Sequence, residues 1–378
     1  MSPFVAVLTG ILALVYAYLA WRLTTGVATR LALALPFLLI WVVPLVYWVG
    51  ERESGRWTDE LVHFASYACM GWLNFVLLLC LVRDAVLLST LWLAPLSGLH
   101  GLLRDSGAQW VLVGSFVALA FGVLAALRGP HVRHIDIPVQ GLDPGLHGVR
   151  IVQITDLHVG PTIRAAYVRR VVRMSNQLAP DLVALTGDFV DGSVARLADH
   201  VAPLAALLPA GRVFFVPGNH EYYSGAAQWI AHFKALGFTV LLNDHAVISI
   251  GGARIIVGGV LDPAARSAAP PQEPRPDLAA ARDQGPAFRL LLAHNPKLAP
   301  LAEAAGFDLQ LSGHTHAGQF FPWTLAVHLV HAPHVAGLSR SGRLWVYVSA
   351  GTGTWGPPVR FGSEPELTLL RLLRADAR

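Results

Sequence analysis

The sequence has few charged residues, almost no lysine and only two cysteines. Asp, Glu, Lys and Arg make up 14% of the 378 residues, against about 25% in an ordinary soluble domain, and 54% of the residues are hydrophobic. A wholly water-soluble protein is therefore excluded. The two lysines, Lys234 and Lys297, and the scattered arginines form no basic run interleaved with aromatic residues, so no nucleic-acid partner is expected.

The cysteines, Cys69 and Cys80, do not predict a disulfide. They are eleven residues apart in one apolar stretch, which is about 16 Å along a helix at about 1.5 Å per residue. A disulfide needs Cα atoms within about 7 Å of each other. We therefore expect a fold that is held together without a covalent cross-link.

The charges are distributed unevenly along the chain. Six acidic and six basic residues precede Arg128, whereas the remaining two thirds hold 18 acidic and 22 basic residues and thus the whole formal net charge of +4. This difference predicts two regions that meet different solvents. We expect a transmembrane helical region at residues 1–130, a linker at 131–147 and a second domain at 148–378.

Four stretches of the first region are long and apolar enough to span a bilayer core of about 30 Å, which takes roughly 17 to 25 helical residues. They are residues 3–21, 31–50, 64–82 and 110–127. A bundle of about four transmembrane helices is predicted, and buried core helices are the alternative. The further apolar run at residues 85–97 is too short to cross, so it is expected to extend a helix or to lie at the interface.

An even number of spans would place the N terminus and the C-terminal domain on the same side of a cell (inner) membrane. Cytoplasmic loops carry an excess of Lys and Arg. The arginines on the side of the C-terminal domain are Arg52, Arg56, Arg128 and Arg133, and those opposite are Arg22, Arg30 and Arg104, with Arg83 at a boundary. The two sides are nearly equal, and the juxtamembrane Arg128 and Arg133 favour a cytoplasmic domain.

From Gly148 onward, short apolar runs alternate with amphipathic stretches. Strands are predicted at residues 149–155, 182–186, 213–216, 254–258, 290–293, 309–311 and 344–349, and helices at 163–178 and 226–236. This alternation predicts an α/β domain with a largely buried sheet. Residues 262–286 and 320–343 are predicted to be loops, and the histidines of the second loop, His328, His331 and His334, are expected to be solvated rather than to bind a metal.

Polar residues follow five of the predicted strands, where active sites of such sheets collect. In chain order they are Asp156-Leu157-His158, Gly187-Asp188-Phe189-Val190-Asp191, Gly218-Asn219-His220-Glu221, His294-Asn295 and Gly313-His314-Thr315-His316. Carboxylates and imidazoles without a thiolate suit first-row divalent ions rather than an all-oxygen calcium site. Seven candidate ligands exceed what one ion uses, so the pattern predicts a site for two metal ions.

The order D-x-H, G-D-x-x-D, G-N-H-E, H and G-H-x-H resembles the signature of the calcineurin-like metallophosphoesterase superfamily, from about Gly148 to the C terminus. The resemblance implies a four-layer α/β/β/α sandwich with a dinuclear metal centre at the strand ends. It implies one ion held by Asp156, His158 and His316, the other by Asn219, His294 and His314, and Asp188 bridging both. It also implies that His220 stabilises the scissile phosphate or protonates the leaving group, and that Asp191 orients His220.

Residues 313–319 and 351–362 further resemble bacterial membrane-associated phosphodiesterases. Gly192 stands where the serine/threonine protein phosphatases of the superfamily carry an arginine, which argues against a protein phosphatase. Arg360, Glu221 and Tyr222 are candidate substrate-binding residues, with Arg360 favoured because a guanidinium group suits phosphate.

The sequence thus predicts a membrane-anchored hydrolase of a phosphodiester or lipid-linked phosphate. It would use two divalent ions, with Mn favoured over Fe, Zn, Co or Ni, and a bridging hydroxide. A nucleotide-lipid pyrophosphatase is the alternative enzyme. Two hypotheses of a different class are a non-catalytic metal-binding sensor or scaffold, and a transporter or channel with an attached regulatory hydrolase. The sequence leaves the oligomeric state open.

Overall fold

The computed structural model describes residues 3–43, 57–92, 97–282 and 285–375. Its contacts divide the chain into two units. The helical unit comprises Met1–Leu127 together with Gly356–Phe361, and the α/β unit comprises Arg128–Trp355 together with Gly362–Arg378.

The helical unit consists of apolar helices. They are α1 (Pro3–Leu23), α2 (Val27–Val43), α3 (Trp57–Thr90), α4 (Ser97–Asp105) and α5 (Gly107–Leu127). Within the described residues, α1, α3 and α5 are long and apolar enough to cross a membrane, and α2 is a shorter apolar helix. The second predicted span coincides with α2 as far as Val43, and its remainder lies outside the described residues. The third predicted span belongs to α3, which continues through Thr90 as one helix.

The α/β unit contains two six-stranded sheets. The strands are β1 (His131–Gln140), β2 (Arg150–Ile154), β3 (Leu182–Leu185), β4 (Val213–Phe215), β5 (Thr239–Val240), β6 (Asp244–Ile250), β7 (Ala253–Gly259), β8 (Phe288–Leu292), β9 (Leu309–Ser312), β10 (Gly337–Ser341), β11 (Leu344–Val348) and β12 (Glu366–Ala375). One sheet has the order β1-β12-β2-β3-β4-β5 and the other β10-β11-β9-β8-β7-β6. Both sheets mix parallel and antiparallel pairs.

The α/β unit also contains helices. They are α6 (Ala165–Gln177), α7 (Val194–Val201), α8 (Asn219–Tyr223), α9 (Ala226–Ala235), α10 (Pro276–Ala279), α11 (Ala299–Ala305) and α12 (Trp323–His331). The predicted helices at residues 163–178 and 226–236 correspond to α6 and α9.

Strand periodicity explains the layers. Along β2, Ile151 joins the core between the two sheets, whereas Val152 and Ile154 join the core under α6, α7 and α9. Successive side chains of a strand point to opposite faces, so each central strand buries both faces. A third core, which includes Leu291 and Ala302, packs α10 and α11 on the second sheet. The result is the predicted α/β/β/α sandwich.

Several elements differ from the sequence-based expectations. Residues 131–147, predicted to be a linker, contain β1, which pairs in parallel with β12. Most residues of β1 are exposed or half-buried, so the strand carries no continuous apolar run that would reveal it. The predicted loop at 320–343 contains α12 and β10, and the described part of the loop at 262–286 includes α10 and a short 3-10 turn at Pro263–Ser267.

Candidate metal centre

The strand ends of both sheets supply the polar residues of the centre. Asp156 and His158 follow β2, Asp188 and Asp191 follow β3, Asn219 and His220 begin α8 after β4, His294 follows β8, and His314 and His316 follow β9. Strands β2, β3 and β4 are parallel neighbours, as are β8 and β9. Parallel neighbours end at the same edge of a sheet, so the order of the strands brings these residues together.

The backbone at these positions is unusual. The left-handed φ angles are 52° at Asp156, 51° at His158, 56° at Asp188, 74° at His314 and 50° at His316. Such conformations cost about 1–3 kcal/mol each for residues with a side chain and concentrate at functional sites. Five of the seven predicted ligands thus leave their strands in a strained conformation that turns their side chains toward one another.

Glycines permit close approaches beside the ligands. A Cβ atom on Gly313 would overlap the carboxylate of Asp156 and the side chain of Thr155, and one on Gly218 would overlap the carboxylate of Asp188. The glycines of the G-H-x-H and G-N-H-E motifs are therefore required by space.

One group that could hold a metal ion consists of Asp156, His158 and His316. All three are buried. The Nε2 atoms of His158 and His316 lie 3.0 Å apart, and the Nε2 atom of His316 is 3.3 Å from Oδ1 of Asp156. Backbone N–H of His314 also donates to both oxygens of Asp156, at 2.9 and 3.1 Å, which fixes the carboxylate.

A second such group consists of Asp188, His294 and His314. The Nε2 atom of His294 lies 3.1 Å from Oδ2 of Asp188 and 3.2 Å from Nδ1 of His314. The amide oxygen of Asn219 lies 2.9 Å from Nδ1 of His314 and 3.2 Å from Nε2 of His294. Asn219 therefore adds an oxygen to this group.

Hydrogen bonds orient the imidazole rings. Nδ1–H of His294 donates to the carbonyl of Thr186 at 2.8 Å, and Nδ1 of His158 bonds Oδ1 of Asp191 at 2.9 Å. In both rings, Nε2 is left facing the cluster. This is the usual arrangement of metal-binding histidines, whose second nitrogen donates to a carboxylate or carbonyl. Thr186 was not expected in the site, because a backbone carbonyl has no sequence signature.

Burial and neighbouring charges set the protonation states of the centre. Burial alone would raise the pKa of Asp156, but the charge and hydrogen bond of His316 lower it well below its usual range. Burial likewise opposes ionisation of Asp188, and His294 lowers the pKa of that carboxyl. Burial together with the charge of His294 lowers the pKa of His314 to about 3. The two carboxylates are thus ionised and His314 is neutral, the forms in which these groups bind metals, whereas the charge and hydrogen bond of Asp188 raise the pKa of His294 despite its burial.

A third group joins His158, Asp191 and His220. Oδ1 of Asp191 accepts from Nδ1 of His220 at 2.7 Å as well as from His158. Burial would lower the pKa of His220, but the hydrogen bond to Asp191 and the charges of Asp188 and Asp191 raise it to about 9. Because both rings present Nδ1 to Asp191, this carboxylate orients the two histidines.

The structure places two of the expected substrate-binding residues away from an open surface. Glu221 is fully buried, and its carboxylate accepts backbone N–H groups of Asp188, Phe189 and Gly218 at 2.7–2.9 Å. It thereby ties the loop after β3 to the start of α8. Arg360 is fully buried and belongs to the helical unit, where its backbone N–H donates to the carbonyl of Gly122.

Aromatic side chains surround His220. Tyr223 and Trp355 approach its ring edge-on, with centroid distances of 5.4 and 5.9 Å. Tyr222 and Tyr223 line a cavity of about 380 Å³, together with residues of α9 and the turn that follows Asp262. Burial and the charge of Asp262 raise the pKa of Tyr222. Sequence reasoning gave no role to Trp355 or Asp262.

Comparisons with known proteins agree with this geometry. The family described as calcineurin-like phosphoesterase matches residues 149–318. A transmembrane protein with metallophosphoesterase domain from Danio rerio is 34% identical over 327 residues, which cover 82% of this chain and 73% of that protein. An uncharacterized metallophosphoesterase from Helicobacter pylori is 36% identical over 280 residues, which cover 73% of this chain and 72% of that protein.

Among solved structures, the NAD nucleotidase of Haemophilus influenzae matches with a TM-score of 0.38 and 16% identity over 54% of this chain. The present chain covers 50% of that protein's length. Because the two sequence relatives share about a third of their residues with this chain over most of both sequences, the chain belongs to the calcineurin-like phosphoesterase family of metal-dependent phosphoric ester hydrolases.

Proposed function

We propose that this protein is a membrane-anchored phosphoester hydrolase that works with two divalent metal ions on a phosphodiester or a lipid-linked phosphate. The observation that carries the proposal is the convergence of imidazole nitrogens and carboxylate oxygens in two groups. The Nδ1 atoms of His158 and His294 are hydrogen-bonded to Asp191 and Thr186, which leaves their Nε2 atoms facing these groups. The Nε2 atoms of His158 and His316 lie 3.0 Å apart beside the buried carboxylate of Asp156, so three potential ligand atoms face one small space.

The donor set fits two borderline first-row ions, since it combines nitrogen and oxygen ligands without sulfur. One ion would be held by Asp156, His158 and His316, and the other by Asn219, His294 and His314, with Asp188 serving both. When bound, such ions lower the pKa of water and offset negative charge that develops on a phosphoryl group. Manganese is the ion we favour.

His220 supplies the acid chemistry in this proposal. With its pKa raised to about 9, the ring is protonated at neutral pH, and a protonated imidazole can give its proton to the oxygen of the leaving alcohol. Asp191 holds Nδ1–H, so the Nε2–H of His220 is the proton available for transfer. Glu221 keeps α8 in register with Asp188, and Tyr222, Tyr223 and Trp355 border the space for the leaving group.

The membrane assignment rests on the apolar helices α1, α3 and α5. We infer a multi-pass protein of the cell membrane. Arg128 and Arg133, which follow α5 directly, favour the cytoplasmic side for the α/β unit, because loops rich in basic residues remain in the cytoplasm.

The test is hydrolysis by the detergent-purified full chain of an aryl phosphodiester, an aryl phosphomonoester and a lipid pyrophosphate, each with Mn, with Zn or with a chelator. We expect metal-restored cleavage of the diester, and its loss in Asp188→Asn. Asp244→Asn is the matched control, since Asp244 is exposed on β6. Cleavage of the pyrophosphate alone would replace the proposal with the nucleotide-lipid pyrophosphatase, and bound metal without any turnover would identify a sensor.

A further inference from the structure

Helix α12 differs from the other longer helices of the α/β unit because it buries none of its residues. Leu325, Leu329 and Val330 are 63%, 90% and 58% exposed. By contrast, α6 buries Val168 and Val171 beneath it. A helix on a water-exposed surface normally turns its apolar side chains inward, so the outward apolar side chains of α12 indicate a non-aqueous surrounding.

The sequence around α12 lacks acidic residues. No Asp or Glu occurs between Asp308 and Glu364, so α12 itself carries no carboxylate. A segment without carboxylates is not repelled by the negative surface of anionic lipids. The exposed apolar side chains of α12 and its lack of acidic residues therefore both suit a bilayer surface.

Helix α12 is also joined to the metal centre. It begins seven residues after His316, and the ring of His331 at its end lies edge-on to the ring of His314, with a centroid distance of 5.2 Å. Just beyond the helix, the carbonyl of Val335 accepts a hydrogen bond from the hydroxyl of Thr315 at 2.7 Å. The element that exposes apolar side chains is thus fastened at its C-terminal end to the loop that carries two predicted ligands.

We propose that α12 lies in the boundary between headgroups and acyl chains of the membrane, so that a phosphoester with a lipid tail reaches the metal centre beside this helix. At about 1.5 Å per residue the nine-residue helix is about 14 Å long, too short to span a bilayer and suited to lie in its interface. A membrane is within reach because β1 begins four residues after α5, a helix apolar enough to cross one. The substrate part of this inference rests on the proposed function.

The first experiment does not depend on enzymatic activity. In a background with Cys69→Ala and Cys80→Ala, Leu329→Cys is labelled with an environment-sensitive fluorophore, and the full chain is reconstituted in vesicles of phosphatidylglycerol and phosphatidylcholine. Leu208→Cys is the control, because Leu208 is also exposed but follows the helices that cover the other sheet. The thermal unfolding of each variant is compared with that of the parent chain to show that both fold.

We expect the label at residue 329 to emit at shorter wavelength than the label at 208 and to be quenched at least about threefold more strongly by lipids with a spin label on the acyl chain. Equal emission and equal quenching at both positions would overturn the inference. A shift to shorter wavelength without lipid quenching would also overturn it, because a protein rather than lipid would then cover α12.

The second experiment tests the substrate part. We expect Leu329→Glu to lower the ratio of turnover of a vesicle-borne lipid phosphoester to turnover of a soluble aryl diester at least about tenfold, because the added charge opposes insertion in lipid. Leu208→Glu should leave that ratio unchanged. An unchanged ratio in Leu329→Glu would refute lipid delivery by α12, whereas absence of all turnover in the parent chain would refute the proposed function and leave the labelling result intact.

Discussion

Buried and half-buried polar side chains occur in both units of the molecule, but they are arranged in different ways. In the helical unit they satisfy one another: Nε1–H of Trp72 donates to the hydroxyl of Ser115 at 2.9 Å, and both oxygens of Asp84 accept from Arg22 at 2.6 Å. In the α/β unit, Asp156 and the rings of His158 and His316 bring together atoms that could hold a metal ion. The first arrangement is a set of donor–acceptor pairs, whereas the second is a set of potential metal ligands.

This contrast separates polar groups that hold a fold together from polar groups that form a site. Arg83 also donates a hydrogen bond to Asp84, at 2.8 Å. The guanidinium groups of Arg22 and Arg83 therefore compensate the charge of this carboxylate of α3. Ionisable residues inside apolar helices often mark ion pathways. Here their mutual pairing argues for a structural role and against a transporter.

The largest effect is expected at the acid group of the site. We expect His220→Ala to lower the turnover of an aryl diester by about 10²–10⁴-fold, the usual contribution of general acid catalysis. Bound metal should be retained, because His220 lies outside both ligand groups. Turnover is measured together with metal content by elemental analysis, and loss of metal would show that His220 is a ligand instead. His245→Ala, on β6, is the control.

The next effect is expected at Asp191, which orients two histidines. Asp191→Asn should lower turnover about 10–100-fold, as changes of groups that orient metal ligands do. A second signature is the pH profile. In the parent chain, His220 holds its proton below a pKa of about 9, so turnover should fall as the pH rises through about 9. Without the Asp191 charge, this fall should occur at a lower pH, and an unshifted profile would contradict the assigned role.

A smaller effect is expected for the ion pair of the helical unit. In a double-mutant cycle with Arg22→Gln and Asp84→Asn, we expect a coupling energy of about 1–2 kcal/mol in the free energy of unfolding, because the two side chains are in direct contact. Thermal unfolding in detergent measures it, and turnover of a soluble diester should stay unchanged. A loss of turnover in either single variant would contradict the view that this ion pair is structural and separate from the candidate metal centre.

The smallest effect is expected at Trp72. Trp72→Phe removes the hydrogen bond to Ser115 while keeping an aromatic ring, and it should lower the free energy of unfolding by about 1 kcal/mol. The hydroxyl of Ser115 still donates to the carbonyl of Leu112, so the loss should stay near that value. A loss several times larger would mean that the ring's packing, including its stacking on Phe116, dominates.

Two of the elements that sequence reasoning missed, β1 and α12, share a physical feature. Strand β1 has mostly exposed or half-buried residues, so its position in the sheet depends on hydrogen bonds to β12 rather than on an apolar pattern. Helix α12 carries apolar residues on all sides and is preceded by Pro322, so it shows neither a helical stripe nor a side-chain cap. Periodicity detects an element only when one of its faces is buried.

The sequence by itself determined the fold class, the apolar helices and the identity of the side chains that meet at the candidate site, because hydrophobic periodicity and short motifs are local properties of the chain. Only the tertiary structure decided which ring nitrogen of each histidine faces the cluster, that Glu221 binds backbone groups and that Arg360 belongs to the helical unit. These features depend on contacts such as Asp191 with His158 or Arg360 with Gly122. Such partners are far apart in sequence, so no local sequence pattern predicts their contact.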